Sequence, residues 1–337
     1  MKLNQIILII SLQFFFSCSK DIISSNIEIE EGIFIPSLNV SGSLEELNIV
    51  TWNIEDFPKN NLTEEYVKNA IEALNVDIIA LQEIRLLTNL NNIANALGNH
   101  WSAYRAPGSS NYGNLAYLIN TNEVDVLNTP YTMPDGYIEC PSYAYDLLNH
   151  ECEDAAANSN YSISYDFAWR MPYILNFKYN DEVFSLINIH LKCCGGTGGS
   201  EEARRYAAAQ NLSSYINNNL SSNNIIIVGD FNDDINDLVN FETETNIFHP
   251  FHNEYSNNYI FTDMNIANGS VNFWSYPNYP SHIDHIVIND NIFNNPNISH
   301  STNTILIENL FEGGWGEYNN YISDHKPILI NLNVAYP

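Results

Sequence analysis

Five side chains with hard oxygen donors recur along this chain. Glu83, Asp230 and Asp324 carry carboxylates, and Asn53 and Asn232 carry amide oxygens. Donors of this kind suit Mg²⁺, with Mn²⁺ or Ca²⁺ as alternatives, better than zinc. His190 and His325 are poor ligands for a hard ion, but imidazole moves protons near neutral pH. Hydrolysis of a phosphodiester needs charge stabilisation at the phosphate, an activated water and a proton for the leaving oxygen. A divalent ion with two histidines supplies all three. Taken singly these residues are weak signals. Gly229-Asp230-Phe231-Asn232-Asp233 reads equally well as a turn, and Ser323-Asp324-His325 as the opening of a strand. The signal lies in their joint order.

The elements that must position them alternate between strands and helices. Leu47–Asn53 and Asp77–Glu83 read as strands, the second a short apolar run of the buried kind. Between them Thr63, as N-cap, opens an amphipathic helix that runs to Leu74. A second helix is expected near Leu87–Leu97 and a third over Glu201–Asn217. Further strands are expected over Leu115–Ile119, Pro172–Phe177, Val183–Leu191, Ile225–Val228, Ile283–Ile288, Thr304–Ile307 and Pro327–Leu332. Asn53, Glu83, His190, Asp230 and Asn232 fall at or just past strand C-termini. Asp284 and Asp324-His325 fall where the last strands begin. Antiparallel pairing brings both sets to one edge, where a rigid sheet holds side chains over an open crevice. Residues 128–165 are too long for a hairpin turn and read as an inserted loop. His100, His150, His249 and His252 read as surface groups. His285 alternates away from Asp284 and reads as packing. Trp274, Tyr276 and Tyr279 read as a core edge in preference to a stacking platform for bases.

Six ordered segments resemble the endonuclease/exonuclease/phosphatase superfamily: TWN (51–53), LQEIR (81–85), NIHL (188–191), VGDFN (228–232), HIDHIV (282–287) and SDHKP (323–327). The resemblance covers about residues 47–334, and its motifs look most like those of pancreatic-type deoxyribonucleases. It implies an α/β fold, a four-layer sandwich of two mostly antiparallel β-sheets packed face to face with flanking helices. It also implies a role for each matched residue. Glu83 is the main metal carboxylate, supported by Asn53 and Asp324. Asp230 and Asn232 orient the scissile phosphate, the attacking water or a second metal. His325 pairs with Asp284, which raises its pKa. His190 is a general acid or phosphate donor, Tyr112 and Arg170 contact phosphate, and Arg85 contacts DNA. Nucleic acid is the implied substrate, by endonuclease action on DNA or RNA; a sphingomyelinase-like phosphoesterase is the alternative. Two departures stand out. The deoxyribonucleases pair their second histidine with a glutamate, where this chain has Asn114. Cys193-Cys194-Gly195-Gly196 also follows the His190 strand in place of the usual continuation.

The remainder of the chain bounds this reading. Lys+Arg number 12 against 40 Asp+Glu, for a net charge of −28. A broad basic face for nucleic acid is excluded, so binding should be weak and metal-dependent. Hydrophobic residues at 45% provide for a packed core. Residues 1–18 resemble a bacterial lipoprotein signal. Lys2 precedes an apolar run from Ile6 to Phe16, too short for a spanning helix of ~20 residues, and Cys18 is the lipidation candidate. Residues 19–46 read as a tether and 47–337 as the catalytic domain. The expected location is the bacterial cell envelope, with the membrane reached through the lipid anchor and no protein partner evident. Cys140, Cys152, Cys193 and Cys194 remain, an even number that suggests disulfides with three possible connectivities. Cys140–Cys152 is the simplest pair, and Cys193 and Cys194, being adjacent, could each bridge outward to that stretch.

Overall fold

The computed structural model describes residues 45–108, 113–136, 162–195, 199–236, 246–254 and 256–335. Residues 1–44, with the signal, Cys18 and most of the tether, and also Tyr112, Cys140, His150 and Cys152, lie outside the described residues. Strand β1 (Leu47–Asn53) is buried along its whole length. Leu47 and Ile49 face a second sheet, whereas Val50 and Trp52 face helices. A strand covered on both faces needs apolar side chains in both phases, and LNIVTWN supplies them.

Strands β2 (Ile78–Ile84), β3 (Trp101–Arg105) and β4 (Asn114–Asn120) continue the first sheet. The second sheet follows with β5 (Asp125–Val126), β6 (Tyr131–Thr132), β7 (Tyr173–Tyr179), β8 (Glu182–His190), β9 (Asn224–Asp230), β10 (Tyr259–Phe261) and β11 (Asp284–Asn289). The chain then returns to the first sheet through β12 (Ile298–Thr304) and β13 (Ile328–Val334), whose strand order is β12-β13-β1-β2-β4-β3. The second sheet runs β10-β11-β9-β8-β7-β5, with β6 on β7. Among the described residues, only β1–β2 and β8–β9 pair in parallel. Each parallel pair is joined by a helix, α1 (Thr63–Ala73) and α3 (Ser200–Asn219), with α2 (Leu87–Leu97) beside α1.

Three apolar clusters make the layers. One fills the space between the sheets, with Ile49, Ile78, Ile330, Phe184, Leu186 and Val228 among its members. A second lies between the first sheet and α1, α2 and helix α4 (Gly314–Tyr321). A third lies between the second sheet and α3. The arrangement is therefore helix, sheet, sheet, helix. A buried polar link crosses the middle layer. Gln82 Nε2 on β2 donates to Asn188 Oδ1 on β8 at 2.8 Å, and Tyr117 Oη on β4 donates to Leu186 O at 2.9 Å.

The three expected helices and all but one of the expected strands form, and the differences have local causes. Thr63 is the first helical residue, not a cap, and its hydroxyl accepts from the Asn60 N–H at 2.9 Å. The expected Thr304–Ile307 strand instead runs earlier, over Ile298–Thr304, because it follows the register of β13. The 128–165 stretch contributes β6 and a 3-10 turn at Ile163–Tyr165. His252 is buried and His249 half-buried, contrary to their surface reading. His252 Nε2 contacts Ile235 O at 3.1 Å and His249 Nε2 contacts Gln210 Nε2 at 3.1 Å, so both rings have inward partners.

Candidate active site

Sheet register brings the sequence-separated acids together. Asp230 ends β9, with His190 at the end of β8 on one side and Asp284 at the start of β11 on the other. Gly229 permits the close approach of β8. It stands at φ 145°, and a Cβ there would meet Ile189 O at 1.9 Å. In the opposite sheet, β1 ends at Asn53, and a register shift between Leu81 and Ile84 turns Glu83 out at φ 65°. Gly113 lies against that bulge, because a Cβ would meet the Glu83 backbone at 2.6 Å.

The side chains meet across the two sheets. Asn53 Nδ2 donates to Glu83 Oε1 at 3.2 Å and to Asp230 Oδ2 at 3.0 Å. Its own Oδ1 accepts from the Glu55 N–H at 3.1 Å. Asn53 thus turns its amide nitrogen to the acids and orients them, whereas the expected ligand was its oxygen. Glu83 Oε2 accepts from the Asp56 N–H at 2.8 Å. The Asn232 N–H donates to Asp230 Oδ1 at 2.9 Å, which requires φ 57° at Asn232. His325 Nδ1 lies 2.7 Å from Asp284 Oδ2, as expected for the pair. Ser323 Oγ donates to Asn53 O at 2.6 Å and accepts from the His325 N–H at 3.0 Å, tying the SDH segment to β1.

Opposed charge states follow from these contacts. Burial resists charge on His325, but Asp284, Asp230 and Asp324 outweigh it and raise its pKa to about 10. His190 is held well below the usual imidazole range by burial, then by Arg170 and His325. The approach of its Nε2 to Asp230 at 3.4 Å does not offset that burial. His190 is therefore a neutral ring and His325 an imidazolium. Asp230 is pushed up to about 7 by burial and by Asp284. His190 Nδ1 is buried without a partner. Asn114 is no substitute for the missing carboxylate, since its Nδ2 donates to Pro107 O at 2.8 Å and its Oδ1 accepts from the Leu115 N–H at 2.8 Å.

These groups line a cleft of about 600 Å³ that includes Glu83, Asp230, Asp324, His190, His325 and Arg170. Arg170 is braced by Nε on His190 O at 3.2 Å and Nη2 on Leu191 O at 2.9 Å. Arg85 lies outside the cleft lining, where its guanidinium meets Asp56 at 2.8 Å. Asp230, Asp284 and His325 each bring one donor atom within 4.8 Å of the others. Asp284 Oδ1 is buried without a partner, and the proton affinity of Asp230 records uncompensated negative charge. The carboxylates of Glu83 and Asp230, joined through Asn53, and of Asp324 in the same cleft are the oxygen donors a hard divalent cation takes, whereas the charged His325 is not a ligand.

Several site residues were not expected. Glu55 lines the cleft and accepts from the Asp324 N–H at 3.0 Å. Its signal was its place two residues after Asn53. The Tyr276 ring lies tilted by 39° against His325 with centroids 4.8 Å apart, and Tyr279 is 78% exposed on the cleft rim. The core-edge reading fails for Tyr279 and holds for Trp274, whose Nε1 donates to Ile266 O at 3.1 Å. His285 does point away from Asp284. Its Nδ1 meets Asp263 Oδ2 at 2.6 Å and its Nε2 meets Asp233 O at 3.0 Å, while His282 Nε2 meets the same Asp263 oxygen at 2.8 Å. The expected partners Cys140 and Cys152 lie outside the described residues, among which Cys193 and Cys194 are free thiols. Their sulfurs lie against each other, and Arg205 holds the loop carbonyls from inside.

A four-layer sandwich with acids, amides and two histidines at one edge defines a class that the comparisons specify. The model of the endonuclease/exonuclease/phosphatase family matches residues 50–325, and the chain belongs to that family. This chain is accordingly a phosphoesterase of that family. No curated protein is a significant match. Many solved structures share the fold, three of them as follows. D. rerio TDP2 complexed with single strand DNA product is 13% identical, covering 86% of this chain and 99% of that one, with a TM-score of 0.55. The human Nocturnin catalytic domain with bound sulfate is 13% identical over 87% and 96%, with a TM-score of 0.55. An endonuclease/exonuclease/phosphatase protein from Bacteroides vulgatus is 14% identical over 86% and 99%, with a TM-score of 0.54.

Proposed function

We propose that this protein is a divalent-metal-dependent phosphodiesterase that cleaves nucleic acid, with Mg²⁺ as the working ion and Mn²⁺ or Ca²⁺ as alternatives. The observation that carries the reading is the meeting of Asn53, Glu83 and Asp230 across the two sheets, beside the Asp284–His325 pair. Glu83, Asp230 and Asp324 would hold the ion, which when bound neutralises phosphate charge and acidifies water. Asn53 keeps Glu83 and Asp230 in register. Asp230, held by Asn53 Nδ2 and the Asn232 N–H, orients the attacking water. His325, charged and fixed by Asp284, donates from Nε2 toward the phosphate or the leaving oxygen. Arg170 presents a cation to the phosphate, and the neutral His190 orients it. Asn232 holds Asp230 through its backbone. Trp169, 67% exposed beside Arg170, and the exposed Tyr279 supply aromatic faces on which bases can stack.

A lipid phosphoesterase on this scaffold is the second reading, favoured by the same exposed Trp169 and Tyr279, which could equally enter a membrane interface. A turnover panel separates them: DNA, RNA, sphingomyelin and nucleotides, each with Mg²⁺, Mn²⁺, Ca²⁺ or chelator. Cleavage of DNA or RNA that stops with chelator is expected. Asp230→Ala should lower kcat by ~10²–10⁴. Choline phosphate release without any nucleic-acid cleavage sinks the nuclease reading. Export and lipid attachment at Cys18 belong to the same proposal, supported by the order Lys2, apolar run, Ser17-Cys18. Intact mass of the processed N-terminus tests them, and an unlipidated chain starting elsewhere rejects them.

A further inference from the structure

We infer that Cys193 and Cys194 form a dithiol modification site that closes to a vicinal disulfide and thereby lowers turnover at the neighbouring cleft. The control of turnover rests on the phosphodiesterase reading above; the dithiol chemistry does not. Both cysteines line the same cleft as His190, Arg170 and Asp230. Cys194 is exposed, so reagents in solution reach the pair. The Cys194 thiol donates to Cys193 Sγ at 2.9 Å, and Lys192 Nζ donates to the same sulfur at 3.7 Å. Cys193 Sγ therefore gathers two donors and lies within reach of the neighbouring sulfur.

The step balances with a low-molecular-weight disulfide as oxidant. The Cys193 thiolate, its proton lost to solvent, attacks one sulfur of R–S–S–R and releases R–S⁻, leaving a mixed disulfide. The Cys194 thiolate then attacks Cys193 Sγ and releases the second R–S⁻. The protein loses two hydrogens, and the oxidant becomes two R–SH. The product is strained, because adjacent α-carbons stand about 3.8 Å apart and ordinary disulfides prefer ~4.4–6.8 Å. Strained and exposed disulfides are the easily reduced ones, so the bridge is reversible and not a permanent staple.

The loop is wired to the cleft. Arg205 Nη1 donates to Lys192 O at 2.8 Å and to Cys194 O at 3.0 Å, while its Nη2 pairs with Asp233 at 2.7 Å. Leu191 O, two residues before Cys193, accepts from Arg170 at 2.9 Å and from Asn232 Nδ2 at 3.2 Å. Cys194 stands at φ 69°, and Gly195 sits against Glu201, which a Cβ would meet at 2.8 Å. Joining the sulfurs re-sets the peptide between them and turns the Cys194 carbonyl off Arg205. That change reaches Asp233, and through the 230–233 turn it reaches Asp230.

The test equilibrates the purified full chain across ratios of reduced and oxidised glutathione. Tryptic mapping then reads the redox state, since Lys192 and Arg204 bound one peptide holding both cysteines. Turnover of bis(p-nitrophenyl) phosphate with Mg²⁺ is measured on the same samples. The expected peptide lacks two hydrogens and carries no partner. Turnover should fall by about fivefold or more in the oxidised form, the scale of ordinary site-to-site coupling, and return on reduction. Cys193→Ser/Cys194→Ser should keep the reduced turnover and ignore oxidised glutathione. Bridges to Cys140 or Cys152, a persistent glutathione adduct, or thiols at every ratio would each overturn the site. A vicinal bridge with unchanged turnover would overturn the control. If neither redox state turns over, the phosphodiesterase reading fails with the control, and the mapping alone decides the dithiol.

Discussion

Two histidines share one cleft in opposite charge states, and the cause is their second partners. His325 has Asp284 at 2.7 Å; His190 Nδ1 has none. The Asp284–His325 pair was legible in the chain, because HIDHIV and SDHKP carry both residues in matching motifs. The solitude of His190 was foreshadowed by Asn114. The Arg205–Asp233 pair was not legible, since it depends on segments that meet only after the sheets pack. A residue-scale test follows from the raised proton affinity of His325. In metal-free protein, its imidazole resonances should titrate near 10, and Asp284→Asn should bring them down toward the ordinary ~6.5. The sign extends to stability. A His pKa raised by folding contributes fully below the unfolded value and loses its contribution as pH rises through the folded one. Asp284→Asn should therefore cost stability at pH 7 and progressively less toward pH 10; equal cost at both ends would refute the pairing.

Strands with strong apolar runs were readable, and the weak ones were not. β3 with its half-buried WSAYR, and two-residue β5 and β6, owe their existence to neighbours in register. Helix α4 reads GWGEYNNY, poor in helix formers, and is held by Tyr318 stacked beneath Trp52, whose Nε1 donates to Tyr318 Oη at 2.8 Å. Turns after strands also escaped the pattern. The bulge at Glu83 and the left-handed Asn232 are set by tertiary contact, and they aim the acids. Beneath β11 lies a second buried group. Both nitrogens of His285 face oxygen acceptors, so the ring is an imidazolium on Asp263. Burial opposes both charges, yet the two histidines depress the Asp263 pKa, and Asp263 raises that of His285. The aspartate contribution is present above ~3.9 and lost as pH falls; the histidine contribution is present below ~6.5 and lost as pH rises. Asp263→Asn leaves a buried imidazolium without its anion and should cost ~3–5 kcal/mol. Urea denaturation at pH 6 reads it, and a loss under ~1 kcal/mol would show that the cluster is uncharged.

The whole molecule carries −28, and its site is built from acids that a cation would neutralise. The remaining acids repel a polyanion at long range. Raising salt screens that repulsion as well as the attraction of Arg170. From 50 to 200 mM salt, kcat/KM on long DNA should not show the ~10³-fold loss typical of proteins that neutralise six or more phosphates. A loss of that size would demand a basic surface this composition does not contain. The layered architecture was readable only through the six motifs taken together, since no local pattern specifies which sheet a strand joins. The topology has one more consequence, for the timing of assembly. β13 lies between β12 and β1, with Leu47 opposite Leu332, so the earliest strand of the domain cannot close its sheet until the latest one exists. At about 5–20 residues per second, a ribosome spends on the order of half a minute on a chain of this length. Throughout that interval the nascent chain lacks both His325 and the strand that fixes it. The site therefore cannot be assembled until the segment that carries His325 and β13 has been made.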